Sequence, residues 1–173
     1  MLKVRVLTGH VTAVSLKDYE KIAQENGLHQ SAFFYAVVHT MAQLNGWRAR
    51  YAPDEMIAHI FERGDGHEDE LFRADKEINA KPWLRAKTGS YSITLMSKHD
   101  DGAEPLQASD MLAYEATKHM RDNIFASGEP RPMRGSFLKL LETGKITADY
   151  ADEISLRGWI ESVDDPTADP NEI

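Results

Sequence analysis

Cysteine is missing from all 173 residues. Disulfides, zinc–thiolate centres and thiol catalysis are therefore excluded. No apolar run approaches the roughly eighteen residues that a membrane helix needs, and the N-terminus carries no signal-peptide core. A cytoplasmic protein without a membrane partner is expected. Several signatures of catalysis and binding are missing too. There is no P-loop and no GxGxxG, the histidines show no HExxH spacing, and Ser109 beside Asp110 lacks the glycines of a nucleophile elbow. Asp65, His67 and Asp69 alternate like calcium ligands. An EF-hand fails, however, because Glu70 stands at the sixth loop position and Lys76 at the twelfth.

An overall basic charge is also lacking: the net charge is −8. Eight acids between 149 and 173 face Arg157 alone, which puts −7 on that stretch and leaves −1 for the rest. The acidity belongs to the tail, so a locally basic surface remains open. Lys118, Arg121, Arg131, Arg134, Lys139 and Lys145 form a modest basic excess. It reads either as a solvated helix face or as a contact for phosphates.

What the chain does have is periodicity. Residues 2–16 alternate as a strand bent at Gly9. A short helix follows, with Ser15 as N-cap and Gly27 as stop. Residues 31–47 predict a helix with Phe33, Phe34, Val37, Val38, Met41 and Leu44 on its core face and His39 and Gln43 opposite. Residues 56–63 predict a strand with Ile57, His59 and Phe61 on one face. Residues 68–79 predict a helix packing through Leu71, Phe72 and Ile78, and 90–98 a strand alternating through Tyr91, Ile93 and Leu95. Helices are expected over 105–124, near 133–142 and near 150–162, with a frayed end after Val163. The order gives an α/β fold with a mixed sheet flanked by helices. The boundaries are a domain segment over 1–148 and an acidic helix and tail over 149–173.

Two acids stand out. On a helical wheel Leu106, Ala113, Thr117, Met120 and Ile124 form one stripe, with Asp110 on its flank and Glu115 on the solvent side. A carboxylate turned toward a core needs a partner. Asp110 therefore either caps amides or pairs with Arg121 or a lysine, or else is a metal ligand or general base. Glu62 ends a strand just before a Gly-rich turn, where α/β sheets bind ligands; alternatively it is merely the exposed last residue of that strand.

The segments Phe61-Glu62-Arg63-Gly64, the strand leading to Lys98, and the helix from Leu106-Gln107-Ala108-Ser109-Asp110 to Leu112-Ala113-Tyr114-Glu115 resemble a widespread microbial family. It is a domain of unknown function with a ribonuclease H-like fold and an N-terminal Asp-Glu-Ser-Gly motif. The resemblance covers roughly residues 1–142 and includes "RPMRGSFLKLL"; the motif strand is missing. It implies a ribonuclease H-like segment lacking the first strands and derived from a divalent-metal-dependent nuclease or phosphoryl-transfer domain. It further implies Glu62 and Asp110 as ligands of Mg²⁺ or Mn²⁺ and Lys98 near the phosphate, these three being the catalytic candidates, with nucleic acid as partner. Without the first-strand aspartate the acidic site is incomplete, and the chain is expected to be inactive as it stands. The alternatives are a non-catalytic protein-interaction module and a truncated gene product. The open sheet edges lead us to expect either pairing of 2–16 with 56–63 or a homo-oligomer.

Overall fold

The structure is a computed structural model and describes residues 9–64, 66–89, 93–123, 132, 134–142, 146–165 and 167. Among these the elements run β1 (Gly9–Val14), α1 (Leu16–Asn26), α2 (Ala32–Tyr51), β2 (His59–Glu62), α3 (Glu68–Ala80), α4 (Pro82–Thr88), β3 (Ile93–Met96), α5 (Glu104–Asn123), α6 (Gly135–Glu142), β4 (Ile146–Ala151) and α7 (Glu153–Asp164). The chain is α/β, with no helix among the described residues long and apolar enough to cross a membrane. It forms two compact units, a larger one of Thr12–Ser97 with Tyr150–Ile173 and a smaller one of Met1–Val11 with Lys98–Asp149.

The larger unit holds the main core. Ser15 caps α1 by accepting from the amide of Asp18, as the sequence predicts, and Ser31, expected as the first helical residue, instead caps α2 by accepting from the amide of Phe34. Gly27 closes α1 in the left-handed region at φ 62°, where a side chain would be strained. Phe34, Val37, Val38 and Met41 of α2 are buried against Leu71, Ala74 and Ile78 of α3 and Leu84 of α4. From the far end of the chain, α7 adds Leu156, Ile160 and Val163 at helical spacing. The acidic stretch is therefore built into a core. Its charges are paired: Glu153 with Lys21 and Arg157, Asp164 with Lys81, and its one base, Arg157, also with Glu25 of α1.

β2 and β3 pair in parallel, His59 with Ile93 through to Glu62 with Met96. Parallel neighbours need a long crossover, and α3 and α4 occupy it. His59 is buried and Ile60 exposed, as the expected alternation has it, whereas Phe61 and Glu62 are both half-buried.

Several expectations change. His39 is buried and stacks on Trp159 with centroids 3.6 Å apart, although the wheel placed it opposite the core. α2 is buried almost all round, because α7 covers the side that α3 and α4 leave open. Phe72, expected in the core, is 57% exposed. The short α4 and the strand β4 were not expected. β1 pairs with β4, not with β2; the expected pairing of 2–16 with 56–63 does not occur over 9–14, and residues 2–8 lie outside the described ones. The described strands form two separate pairs, with no larger mixed sheet among them. Tyr91, the tail beyond 167 and the start of the helix expected near 133 also fall outside the described residues.

In the smaller unit Gly9 is a close-approach position. A Cβ there would come within 3.0 Å of Leu112 on α5 and 3.3 Å of Ile146 on β4. Ala103, Ala116 and Met120 are its buried apolar residues.

Candidate functional site

The three residues put forward from the sequence take different settings. Glu62 is half-buried at the carboxyl end of β2 in the larger unit, followed by a turn in which Gly64 and Gly66 adopt φ 96° and 87°. Lys98 and Asp110 belong to the smaller unit, and both are exposed. The Lys98 carbonyl accepts a long hydrogen bond from Gln107 Nε2, at 3.5 Å, which ties the turn to the first part of α5.

The orientation of α5 is the main correction. Its buried stripe runs through Glu115, Ala116 and Met120, leaving Asp110, Ala113 and Thr117 exposed. Glu115 is 6% exposed, and Arg134 Nη1 donates to both its oxygens at 3.0 and 3.2 Å. The wheel turned Asp110 toward the core and Glu115 toward solvent, the reverse of what is found, and it could not foresee this because the neutralising base comes from beyond the helix. Arg121, one of the alternative partners for Asp110, lies 3.6 Å from Asp122. Lys118 and Arg134 sit over the Tyr114 ring at 5.7 and 5.9 Å. Part of the basic excess thus serves α5 itself; Arg131 and Lys145 fall outside the described residues.

Burial disfavours the charged form of two histidines. His10 Nδ1 bonds Thr147 Oγ1 at 2.7 Å, and its Nε2 lies 3.6 Å from Asp149. Burial pulls its pKa below 6.5 although Asp149 opposes this. His59 is 6% exposed. Burial lowers its pKa, opposed by a hydrogen bond with the Thr88 backbone, while its Nε2 has no hydrogen-bond partner among the described residues.

A concavity that the sequence did not point to lies in the larger unit. It measures about 470 Å³ and is bounded by Asn45 and Arg48 from the end of α2, Glu55, Met56 and Ile57 from the following loop, and Pro82, Arg85, Ala86 and Gly89 around α4. Its floor is a chain of hydrogen bonds. Asn45 Nδ2 donates to the carbonyls of Ala86 and Lys87 at 3.1 and 3.0 Å, closing the carboxyl end of α4. Arg48 Nε donates to Asn45 Oδ1 at 3.0 Å, and its Nη1 to the carbonyls of Pro53 and Glu55 at 3.0 and 3.3 Å. Gly89 ends α4 in the left-handed region at φ 63°, and a Cβ there would collide with the Asn45 side chain. The signal open to sequence reading was Gly89 as a helix stop; nothing local linked it to Asn45 or Arg48. The volume falls in the usual range for small-molecule sites, about 300–1,000 Å³. Comparison with protein-family models, curated proteins and solved structures gives no match to this chain.

Proposed function

We propose that this chain is a ribonuclease H-like α/β module, related to divalent-metal-dependent phosphoryl-transfer domains, that does not itself cleave nucleic acid. Two of the segments behind the resemblance have the expected local form. Phe61-Glu62 closes a strand that runs into a glycine turn, and Leu106 to Glu115 lies within one uninterrupted helix.

The observation that carries the inactive reading is the setting of the acids on α5. Asp110 is exposed, and the buried Glu115 is held by Arg134. Two-metal chemistry needs several carboxylates fixed around a small shielded volume. A solvated aspartate is not fixed, and an acid bridged by arginine is already neutralised. Glu62 and Asp110 would supply two carboxylates, fewer than the several that hold a pair of Mg²⁺ or Mn²⁺ ions in two-metal chemistry. Lys98, exposed, could meet a phosphate without activating it.

Incubation of the full chain with single-stranded and duplex DNA and RNA, with Mg²⁺ or Mn²⁺, tests this reading. No metal-dependent cleavage is expected. Cleavage that disappears in Asp110→Asn or Glu62→Gln would overturn it.

A further inference from the structure

We propose that the concavity between α2, α4 and the loop before β2 binds a free α-amino acid with a compact apolar side chain, its carboxylate on Arg48 and its ammonium on Glu55. The site is independent of the nuclease-like reading, since none of its lining residues is Glu62, Lys98 or Asp110.

Arg48 sets the carboxylate end. Its Nε and Nη1 donate to the Asn45 amide oxygen and to two loop carbonyls, all of them uncharged, while its Nη2 donates to none of the described residues. A half-buried guanidinium is thus held in one place with no acid among the described residues to match its charge. Already immobilised, it loses little conformational freedom when it takes a ligand. Its planar donors suit a carboxylate.

Glu55 sets the ammonium end. Its backbone carbonyl accepts from Arg48, which fixes the residue at the wall of the concavity, while its exposed carboxylate meets no base among the described residues. One base and one acid, tied to each other only through the backbone, leave separated charges of opposite sign. A zwitterion matches both. A second anionic group on the ligand would meet Glu55, so diacids and phosphates are disfavoured by repulsion. Arg85 also borders the concavity, but it has an interaction of its own and no part of this recognition rests on it.

The apolar wall sets the side chain. Met56 is 87% exposed, and Ile57, Pro82 and Ala86 line the concavity with it. An unbranched thioether adapts to a ligand's shape, and covering it with an aliphatic side chain removes apolar surface from water on both partners.

Titration of the full chain with L-leucine, followed by backbone amide shifts, is the test. Saturable shifts are expected at Met56, Ile57, Ala86 and Gly89. Leucinamide lacks the carboxylate and should bind about tenfold more weakly, because a charge-assisted hydrogen bond to a fixed guanidinium is lost. N-acetyl-leucine lacks the ammonium and should bind roughly threefold more weakly, a smaller effect because an exposed carboxylate makes a weak ion pair. Glu55→Gln keeps the backbone carbonyl that holds Arg48, so the loop stays in place. It should weaken leucine roughly threefold and leave N-acetyl-leucine unchanged, which removes the preference between them. Absence of saturable shifts at millimolar leucine would overturn the proposal. So would leucinamide binding as tightly as leucine, or a Glu55→Gln chain that still prefers leucine to N-acetyl-leucine.

Discussion

Arg134 holds Glu115 through a single nitrogen, Nη1, which reaches both oxygens of this buried carboxylate on α5. The pair is asymmetric, because the arginine is about half-exposed and the glutamate is not. Losing the two partners should therefore have unequal effects. Arg134→Ala leaves a buried carboxylate without its donor and should destabilise the fold by about 1–3 kcal/mol. Glu115→Gln keeps an acceptor for Arg134 and should cost less. Urea unfolding of the two variants decides this; an Arg134→Ala chain as stable as the parent would mean that water reaches Glu115.

Asp110 is the contrast on the same helix. It is exposed, and surface substitutions away from caps and networks usually stay within about 0.5 kcal/mol. Asp110→Asn should leave the urea midpoint nearly unchanged. A clear loss of stability would show that this carboxylate has a structural partner after all.

Gly89 and Gly27 make an internal comparison. Both end helices with φ near +60°, but only Gly89 has a side chain, that of Asn45, where a Cβ would go. Gly27→Ala should cost about 1–2 kcal/mol, the ordinary penalty of the left-handed region. Gly89→Ala should cost more, because it also pushes Asn45 off the carbonyls of α4. Thermal midpoints of the two variants give the order, and equal losses would contradict it.

Acid should weaken the fold through its buried histidines. The folded-state pKa of His59 lies below 6.5 because burial disfavours the charged ring, and His10 shifts the same way. Between that lowered value and 6.5 the unfolded chain binds protons that the folded chain does not. Stability therefore falls as pH drops below 6.5 toward the folded value, and above 6.5 this contribution is complete. Urea midpoints across about pH 8 to 5 should show the decline. His59→Leu should flatten it, and an unchanged slope would remove His59 from the account.

Much of the local structure was legible because its causes lie within one turn of chain. Ser15 and Gly27 mark the ends of α1 through their own hydrogen bonds and dihedral preferences, and the β2 alternation follows from the period of a strand. β4 was not legible: its residues Ile146–Ala151 pass from half-buried to exposed and back without a clean alternation, and pairing with β1 makes them a strand. α4 is seven residues long, too short for a periodic pattern.

By itself the sequence determined the α/β class, the absence of thiol chemistry and the two caps of the first helix, because composition and short-range hydrogen bonding need no distant partner. Tertiary structure alone decided which face of α5 is buried, why His39 can leave water, and where the concavity lies. Arg134 neutralises Glu115, Trp159 covers His39, and Asn45 joins the end of α2 to the end of α4. Each of these is a contact between residues far apart in the chain. The energy of a buried charge or ring depends on what stands against it, and periodicity carries no record of that.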